Sequence, residues 1–242
     1  MRIFGSNSVI ERLRSNPQSI HKIFLQEGYA QSAYIRKKAQ QWKLPVIVYP
    51  RTKMQKMSQG ANTQGIMIQV DDFEYMHFDD VLDLVKKKKY SIIFLDELND
   101  PQNLGAIIRS AACFGRFAIV LPSHKSVSIT EAVLRVASGG DNHVPVAQVS
   151  NINKAIKQAK ELGIHIAGAV TENGENLMEV KLPFPLALVL GSEQKGIRDI
   201  IRKELDLALT IPMFLERLSF NVANAASIFA YEITRQKSKK SK

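Results

Sequence analysis

Apolar positions fall into two periods along this chain. From residue 90 onward, apolar runs at 92–95, 118–121, 144–146, 164–170, 186–190 and 207–211 alternate with three-to-four-residue repeats over 104–114, 129–137, 152–162 and 221–235. Near-continuous apolar strands separated by such helices predict a parallel sheet covered on both faces, an α/β fold. Residues 1–70 read as a smaller α/β unit. A helix starts at Ser6 or Asn7 and runs into Val9, Ile10 and Leu13, a strand follows at 20–26, a helix at 34–42, and further strands at 45–49 and 65–70. Between these parts the pattern changes. Residues 71–89 begin acidic, show a short helix-like face at Val81, Leu82, Leu84 and Val85, and end on four lysines, Lys86 to Lys89. The expected organisation is a domain over 1–72, a linker over 73–89, a domain over 90–236, and a basic, disordered tail over 237–242.

Composition narrows the classes. The 242 residues are 45% hydrophobic and 23% charged, the balance of a globular protein with a sizeable core. A single cysteine, Cys113, excludes an intramolecular disulfide framework and a thiolate zinc site, and a reducing cytoplasm is expected. No apolar run is long enough for a membrane helix and the first residues lack a signal-peptide stretch, so a soluble chain with no membrane and no metal is expected. The net charge is 33 − 23 = +10, and it is uneven: residues 1–70 carry 11 − 2 = +9, residues 71–89 carry 4 − 6 = −2, and residues 90–242 carry 18 − 15 = +3. A basic first third is the footprint of a segment that meets phosphate backbones, the alternative being a solvated surface.

In parallel α/β sheets ligands bind beyond the carboxyl ends of the strands, which singles out the loops after Leu95, Leu190 and Ile211. In the first, Asp100 suits a helix cap and Pro101 the first helical position, whereas capping leaves Asn103 and Arg109 unexplained. Periodicity leaves open whether Arg109, among Ile107, Ile108, Ala111 and Ala112, flanks the buried stripe or reaches a phosphate. The second loop runs from Gly191 to Gly196 with G-x-x-x-x-G spacing, yet Ile197-Arg198 stand where a phosphate-binding loop needs Lys and then Ser or Thr. A dinucleotide fingerprint is also missing. Glu193 is a charge at the mouth of a buried strand. The third loop offers Ser219 as a cap for the last helix, with Asn221 and Asn224 as poor helix formers that call for hydrogen-bond partners.

Taken together, these three segments resemble the SpoU branch of the SPOUT methyltransferases. Residues 100–111, beginning Asp100-Pro101-Gln102-Asn103-Leu104-Gly105 and holding Arg109, resemble the first family motif. Leu188-Val189-Leu190-Gly191-Ser192-Glu193 with Gly196 resembles the second, and Ile211-Pro212-Met213 with Ser219-Phe220-Asn221-Val222 the third. Residues 1–70 resemble the ribosomal-protein-L30e-like substrate-binding domain of many members, through Phe4-Gly5 and Gln64-Gly65-Ile66. The chain departs from the pattern at Gln194, Leu215, Phe220 and Ala223. Asn62-Thr63 stand where ribosomal-RNA members often carry histidine, and Leu215 and Phe220 are expected to narrow the cofactor pocket.

The resemblance implies a trefoil-knotted, parallel-sheet SPOUT catalytic domain, S-adenosylmethionine as cofactor, and an active site formed across a homodimer. The implied reaction is methyl transfer to a ribose 2′-hydroxyl of RNA, with a guanosine of large-subunit (23S) ribosomal RNA as the expected target and transfer RNA as the alternative. The carried-over catalytic positions are Arg109, Asn103, Glu193, Ser219 and Asn221; Gly191, Ile211 and Phe220 are expected to touch the cofactor. Arg109 would bind the target phosphate and the developing alkoxide, Asn103 would orient the ribose, Glu193 and Ser219 would order the loops or Arg109, and Asn221 would tie the third loop to the first. Two rival classes exist. A non-catalytic RNA-binding assembly factor would not need Asn103, Arg109, Glu193 and Asn221 together, and a small-molecule enzyme leaves the +9 segment unexplained.

Overall fold

The computed structural model describes residues 1–215 and 217–239. The chain forms two compact units, one of Met1–Glu74 with Ile129–His143, the other of Tyr75–Ser128 with the residues from Val144 onward.

The first unit contains β1 (Arg2–Phe4), α1 (Ser6–Ser15), β2 (Ile20–Gln26), α2 (Ser32–Gln41), β3 (Val46–Tyr49), α3 (Arg51–Met57) and β4 (Ile66–Val70). Its sheet has the order β1-β4-β2-β3, with β4 antiparallel to both neighbours and β3 parallel to β2. Phe4, Phe24, Met54 and Met67 make an apolar layer with Ile47 and Tyr49. Alternation along the strands supplies this layer, since successive side chains point to opposite faces. Neither β1 nor α3 is visible in the periodicity: three residues are too few to alternate, and α3 buries Met54 alone, so no apolar repeat marks it.

Asn62 and Thr63 serve the turn before β4. Asn62 Oδ1 accepts from the Gln64 N–H at 3.0 Å and Thr63 Oγ1 from the Gly65 N–H at 3.2 Å.

The second unit continues with α4 (Phe78–Lys88), β5 (Ser91–Leu95), α5 (Pro101–Phe114) and β6 (Phe117–Pro122). The chain then returns to the first unit for α6 (Glu131–Ala137). It completes the second with β7 (Val146–Val149), α7 (Ile152–Glu161), β8 (His165–Ala169), β9 (Glu175–Asn176), β10 (Leu186–Leu190), α8 (Asp199–Arg202), β11 (Leu207–Thr210) and α9 (Val222–Lys239). Seven strands pair in the order β7-β6-β5-β10-β8-β11-β9, every pair parallel. All residues of β5, β6 and β10 are buried, as the unbroken apolar runs require of a sheet covered on both faces.

Three expectations meet a different arrangement. The stretch read as a linker, 73–89, holds α4, whose Val81, Leu82 and Val85 enter the core of the second unit; apolar side chains three and four apart need a buried face whatever the surrounding charge. The segment 129–143, read inside the second domain, packs within the first unit. There Arg12 and Asp141 pair at 2.5 Å, His143 meets Glu11 at 2.7 Å, and the Arg2 N–H donates to Glu131 at 2.8 Å. A Cβ on Gly139 would come within 2.6 Å of the Glu11 side chain, so only glycine lets α1 approach this closely. Finally, α9 extends through Lys239. Lys237 lies over the rings of Phe117 and Phe184, at 5.8 and 5.6 Å from their centroids, and donates to the Lys89 carbonyl at 2.9 Å. Cation–π attraction and burial of the aliphatic stem order a lysine that composition assigns to solvent. Residues 240–242 of the expected tail lie outside the described residues. Among the described residues no helix is long and apolar enough to cross a membrane.

Candidate active site

The strands of the second unit being parallel, their carboxyl ends share one edge, and the loops after β5, β10 and β11 gather there. The loop after β8 joins them: β8 lies between β10 and β11, so Ala169, Val170 and Thr171 line the same cleft. Sequence reasoning missed this fourth loop, because strand order is not written in strand sequence. The cleft encloses about 660 Å³ and is lined by Gly191, Glu193, Ile211, Ser219, Phe220 and Asn221 among others. That volume is in the range of small-molecule sites.

The first and third loops are joined by side chains. Asn103, buried in the first turn of α5, donates from Nδ2 to Glu193 Oε1 at 2.5 Å and accepts at Oδ1 from Asn221 Nδ2 at 2.9 Å. One buried amide therefore spends one donor on the second loop and one acceptor on the third, and still has one of each left. Asp100 caps α5, its Oδ1 accepting from the Gln102 N–H at 2.8 Å, and this fixes the turn that carries Asn103. The last helix begins at Val222, so Ser219 does not cap it. Asn221 Oδ1 instead accepts from the Ala223 N–H at 2.9 Å. Ser219, exposed, stands on the cleft wall three residues before the helix.

Arg109 is placed apart. It is exposed, six residues beyond Asn103 on α5, and it neither lines the cleft nor forms an ion pair or hydrogen bond among the described residues. At 100° per residue those six steps turn it well away from Asn103. Leu215, expected to narrow the pocket, is 45% exposed and absent from its lining; Phe220 does line it.

The second loop is a tight reversal. Ser192 and Gly196 exchange backbone hydrogen bonds at 3.2 and 2.9 Å, Gly196 has φ of 65°, and a Cβ on Gly191 would collide with the Gly196 and Ile197 backbone. Both glycines are therefore demanded by the backbone path, which brings that backbone to the cleft. Immediately after the turn lies a pair that the sequence did not suggest. Arg198 reaches Asp96, fully buried at the end of β5, with Nε at 2.8 Å and Nη2 at 2.6 Å from Oδ1, and donates its backbone N–H to Oδ2 at 3.0 Å. Its Nη1 also lies 3.2 Å from Glu97. The Asp96 hydrogen bond holds the Arg198 proton more tightly than in a free arginine. The one available signal was a carboxylate directly after the apolar run 92–95, where an unpaired charge is untenable.

The remaining wall is α9, which is joined to α5 by a hydrogen bond of 2.8 Å between Ser110 and Ser227, with Ser227 also donating to the Ala223 carbonyl. Small residues at Ala223 and Ala226 let the helices approach. Val222, Ala225 and Phe229 of α9 give the cleft an apolar floor. Backbone polar groups of two loops, apolar side chains beneath and a carboxylate at the rim suit a ligand with an aromatic base and a charged tail.

Two family models match. The SpoU rRNA methylase family covers residues 90–231, and the RNA 2′-O ribose methyltransferase substrate-binding domain covers residues 2–76. The chain is 33% identical over 239 residues to YacO of Bacillus subtilis, a protein assigned to the TrmH family of tRNA/rRNA methyltransferases, covering 97% of this chain and 95% of that one. Solved structures with the same fold include the SpoU methyltransferase AviRb of Streptomyces viridochromogenes in complex with AdoMet, with a TM-score of 0.80, 19% identity and coverage of 98% and 90%. An AdoMet-bound rRNA methyltransferase of Sinorhizobium meliloti has a TM-score of 0.77 at 20% identity, covering 97% and 86%. On the match of its larger unit to the family model and of nearly its whole length to YacO, the chain belongs to the SpoU rRNA methylase family.

Proposed function

We propose that this RNA methyltransferase transfers a methyl group from S-adenosylmethionine to a ribose 2′-hydroxyl, with a guanosine of large-subunit ribosomal RNA as its target. The observation that carries the reading is that one cleft collects Gly191, Glu193, Ile211, Ser219, Phe220 and Asn221, with buried Asn103 bonded to two of them. When bound, S-adenosylmethionine would be held in this cleft by Gly191, Ile211 and Phe220 and would supply the methyl group, its thioether leaving as the group passes to the ribose oxygen. The trefoil knot implied by the family resemblance belongs to the same reading; the insertion of β10 between β5 and β8, strands earlier in the chain, supports it.

The chain's own residues position the acceptor and stabilise charge. Asn103 uses its remaining donor and acceptor to orient the ribose, while Glu193 and Asn221 hold the Asn103 amide plane. Ser219 orders the third loop at the rim. A guanidinium keeps its proton, so Arg109 acts as a fork for the target phosphate and the developing alkoxide, and the hydroxyl proton leaves by way of that phosphate to water.

Arg109 lies outside its own cleft, which supports a site completed by a second copy of the chain: the Arg109 of one protomer serves the cleft of the other. The third loop also presents Phe214, Leu215 and Leu218 to solvent, at 100%, 45% and 59% exposure, an apolar surface suited to a homodimer. The first unit serves as an L30e-like platform for ribosomal RNA in the cytoplasm. The appended basic unit supports ribosomal RNA as the target, with transfer RNA as the alternative.

The test is methyl transfer from labelled S-adenosylmethionine to unmodified ribosomal RNA and transfer RNA, followed by nuclease mapping. Label at one ribose of ribosomal RNA, absent with Arg109→Ala, is the expected result. Label on a base, or on transfer RNA alone, would overturn the assignment of position or target; RNA binding without cofactor binding would favour an assembly factor.

A further inference from the structure

We propose that Trp42 of the first unit stacks on an unpaired base of the RNA substrate while Lys38 and Lys43 hold phosphates beside it. The inference rests on RNA being the substrate and adds the kind of nucleotide that the first unit grips. Trp42 is the only tryptophan of the chain, follows the last residue of α2, and is 51% exposed. Its indole has no ring partner and no side-chain hydrogen bond among the described residues. The other three aromatics of residues 28–70 are engaged: Tyr29 donates its hydroxyl to Ser6 Oγ at 2.9 Å, Tyr34 accepts from Arg14 Nε at 3.3 Å, and Tyr49 stacks on Phe24 at 5.9 Å with the Lys53 ammonium 3.8 Å over its ring. Among the described residues, Trp42 is the one of these four whose side chain makes neither a hydrogen bond nor a ring contact, and it is exposed.

The charge along this stretch of chain has one sign. Residues 28–70 contain no Asp or Glu but seven cations, Arg36, Lys37, Lys38, Lys43, Arg51, Lys53 and Lys56, none in an ion pair among the described residues. Lys38 lies one helical turn before Trp42 and Lys43 directly follows it. Lys43 closes α2 at φ of 53°, with the Leu44 N–H bonded to the Ala39 carbonyl at 2.9 Å. Helices that end this way favour glycine at that position. A lysine there, next to an exposed indole, keeps a cation where the backbone would be better served by none. An aromatic face flanked by cations, in a region without acids, matches a base with its phosphates and repels acidic peptides. Duplex RNA buries its base faces, so the nucleotide read here is unpaired.

The single tryptophan makes the test direct. The full-length protein is titrated with a single-stranded oligoribonucleotide, with unmodified ribosomal RNA, with inorganic polyphosphate and with anionic phosphatidylglycerol vesicles, while tryptophan fluorescence is read. Both RNAs are expected to quench the fluorescence and polyphosphate to leave it unchanged. Trp42→Ala weakens RNA binding by about tenfold, whereas Trp42→Phe stays within about threefold. Lys43→Gly keeps or raises the melting temperature yet lowers the slope of log affinity against log salt by about 0.7 to 0.9, one phosphate contact; a merely structural lysine would not separate these readouts. Tight RNA binding with unmoved fluorescence and an unaffected Trp42→Ala variant would overturn the proposal and leave the methyltransferase reading intact. Equal quenching by polyphosphate, or a response to vesicles alone, would also overturn it. If the wild-type protein neither binds RNA nor transfers methyl, the functional reading itself fails.

Discussion

Asn103 is a hub because its amide has two ends. Its donor end is fixed on Glu193 and its acceptor end on Asn221, so the loops after β10 and β11 are registered to the first turn of α5 through one side chain. Replacing Asn221 by alanine removes both this link and the cap on α9. The expected cost is about 1 kcal/mol in stability from the cap alone, together with a lower kcat, measured by denaturant unfolding and methyl-transfer kinetics. Arg109 bears on a different quantity. Arg109→Ala is expected to lower kcat by about 10²- to 10³-fold, the range for loss of one anion-stabilising donor, and Arg109→Lys to recover little of it, since an ammonium cannot present the fork; near-normal turnover of the lysine variant would refute that role. Asp96 and Arg198 act on stability. Removing the guanidinium leaves a fully buried carboxylate unpaired, so Arg198→Ala is expected to cost about 3 kcal/mol or more, read from the unfolding midpoint.

The pairing of Lys237 at the end of α9 sets a pH dependence. Burial, with Arg116 nearby as the second cause, lowers its pKa from 10.5 to about 8. A lysine whose folded pKa lies below its unfolded value binds its proton more weakly when folded, so stability rises as the pH increases from about 8 toward 10.5. Thermal melting across that window should show the rise in the wild-type protein and a flatter curve in Lys237→Met; the same rise in both would place its source elsewhere. The longer elements of the fold are legible in the amino-acid pattern itself. The strands at 20–26, 186–190 and 207–211 and the helices at 104–114 and 152–162 have enough residues for a period to register, and Asp100-Pro101 marks a helix start by capping alone. What the pattern hides depends on partners distant in sequence. The helical face at Val81, Leu82 and Val85 is legible, but the charge of 71–89 hides that it joins the core, because lysines on one face say nothing about what the other packs against. Arg12 reads as one more surface cation, yet it is buried against an aspartate 129 residues away. The candidate site is legible through its loops and its resemblance, whereas the wall after β8 and the Asp96–Arg198 pair require the order of strands in the sheet.

At the scale of the whole molecule, the displacement of Arg109 from its cleft predicts a particular stoichiometry. Mixing Arg109→Ala protein with Asn103→Ala protein, each inactive alone, allows subunit exchange in a two-fold dimer. Half of the dimers at equal mixing carry both variants, and each of these has one intact site, so about one quarter of wild-type activity should return. No recovery, despite exchange shown by mass measurement of tagged subunits, would place Arg109 in its own protomer's site.

Because the chain leaves the second unit at residue 128 and rejoins it at 144, the first unit is not a detachable module. A fragment ending at residue 76, where the substrate-binding family match stops, would keep Arg12 but lack Asp141, and would keep Glu11 without His143. Grafting this RNA platform onto another enzyme therefore requires moving two pieces of sequence, and a recombination event that moved only the first would deliver a domain with an uncompensated guanidinium in its interior. The loop out of the catalytic unit acts as a heritable bolt: it ties the inheritance of the platform to that of the catalytic unit, so the two are expected to travel together through gene rearrangements.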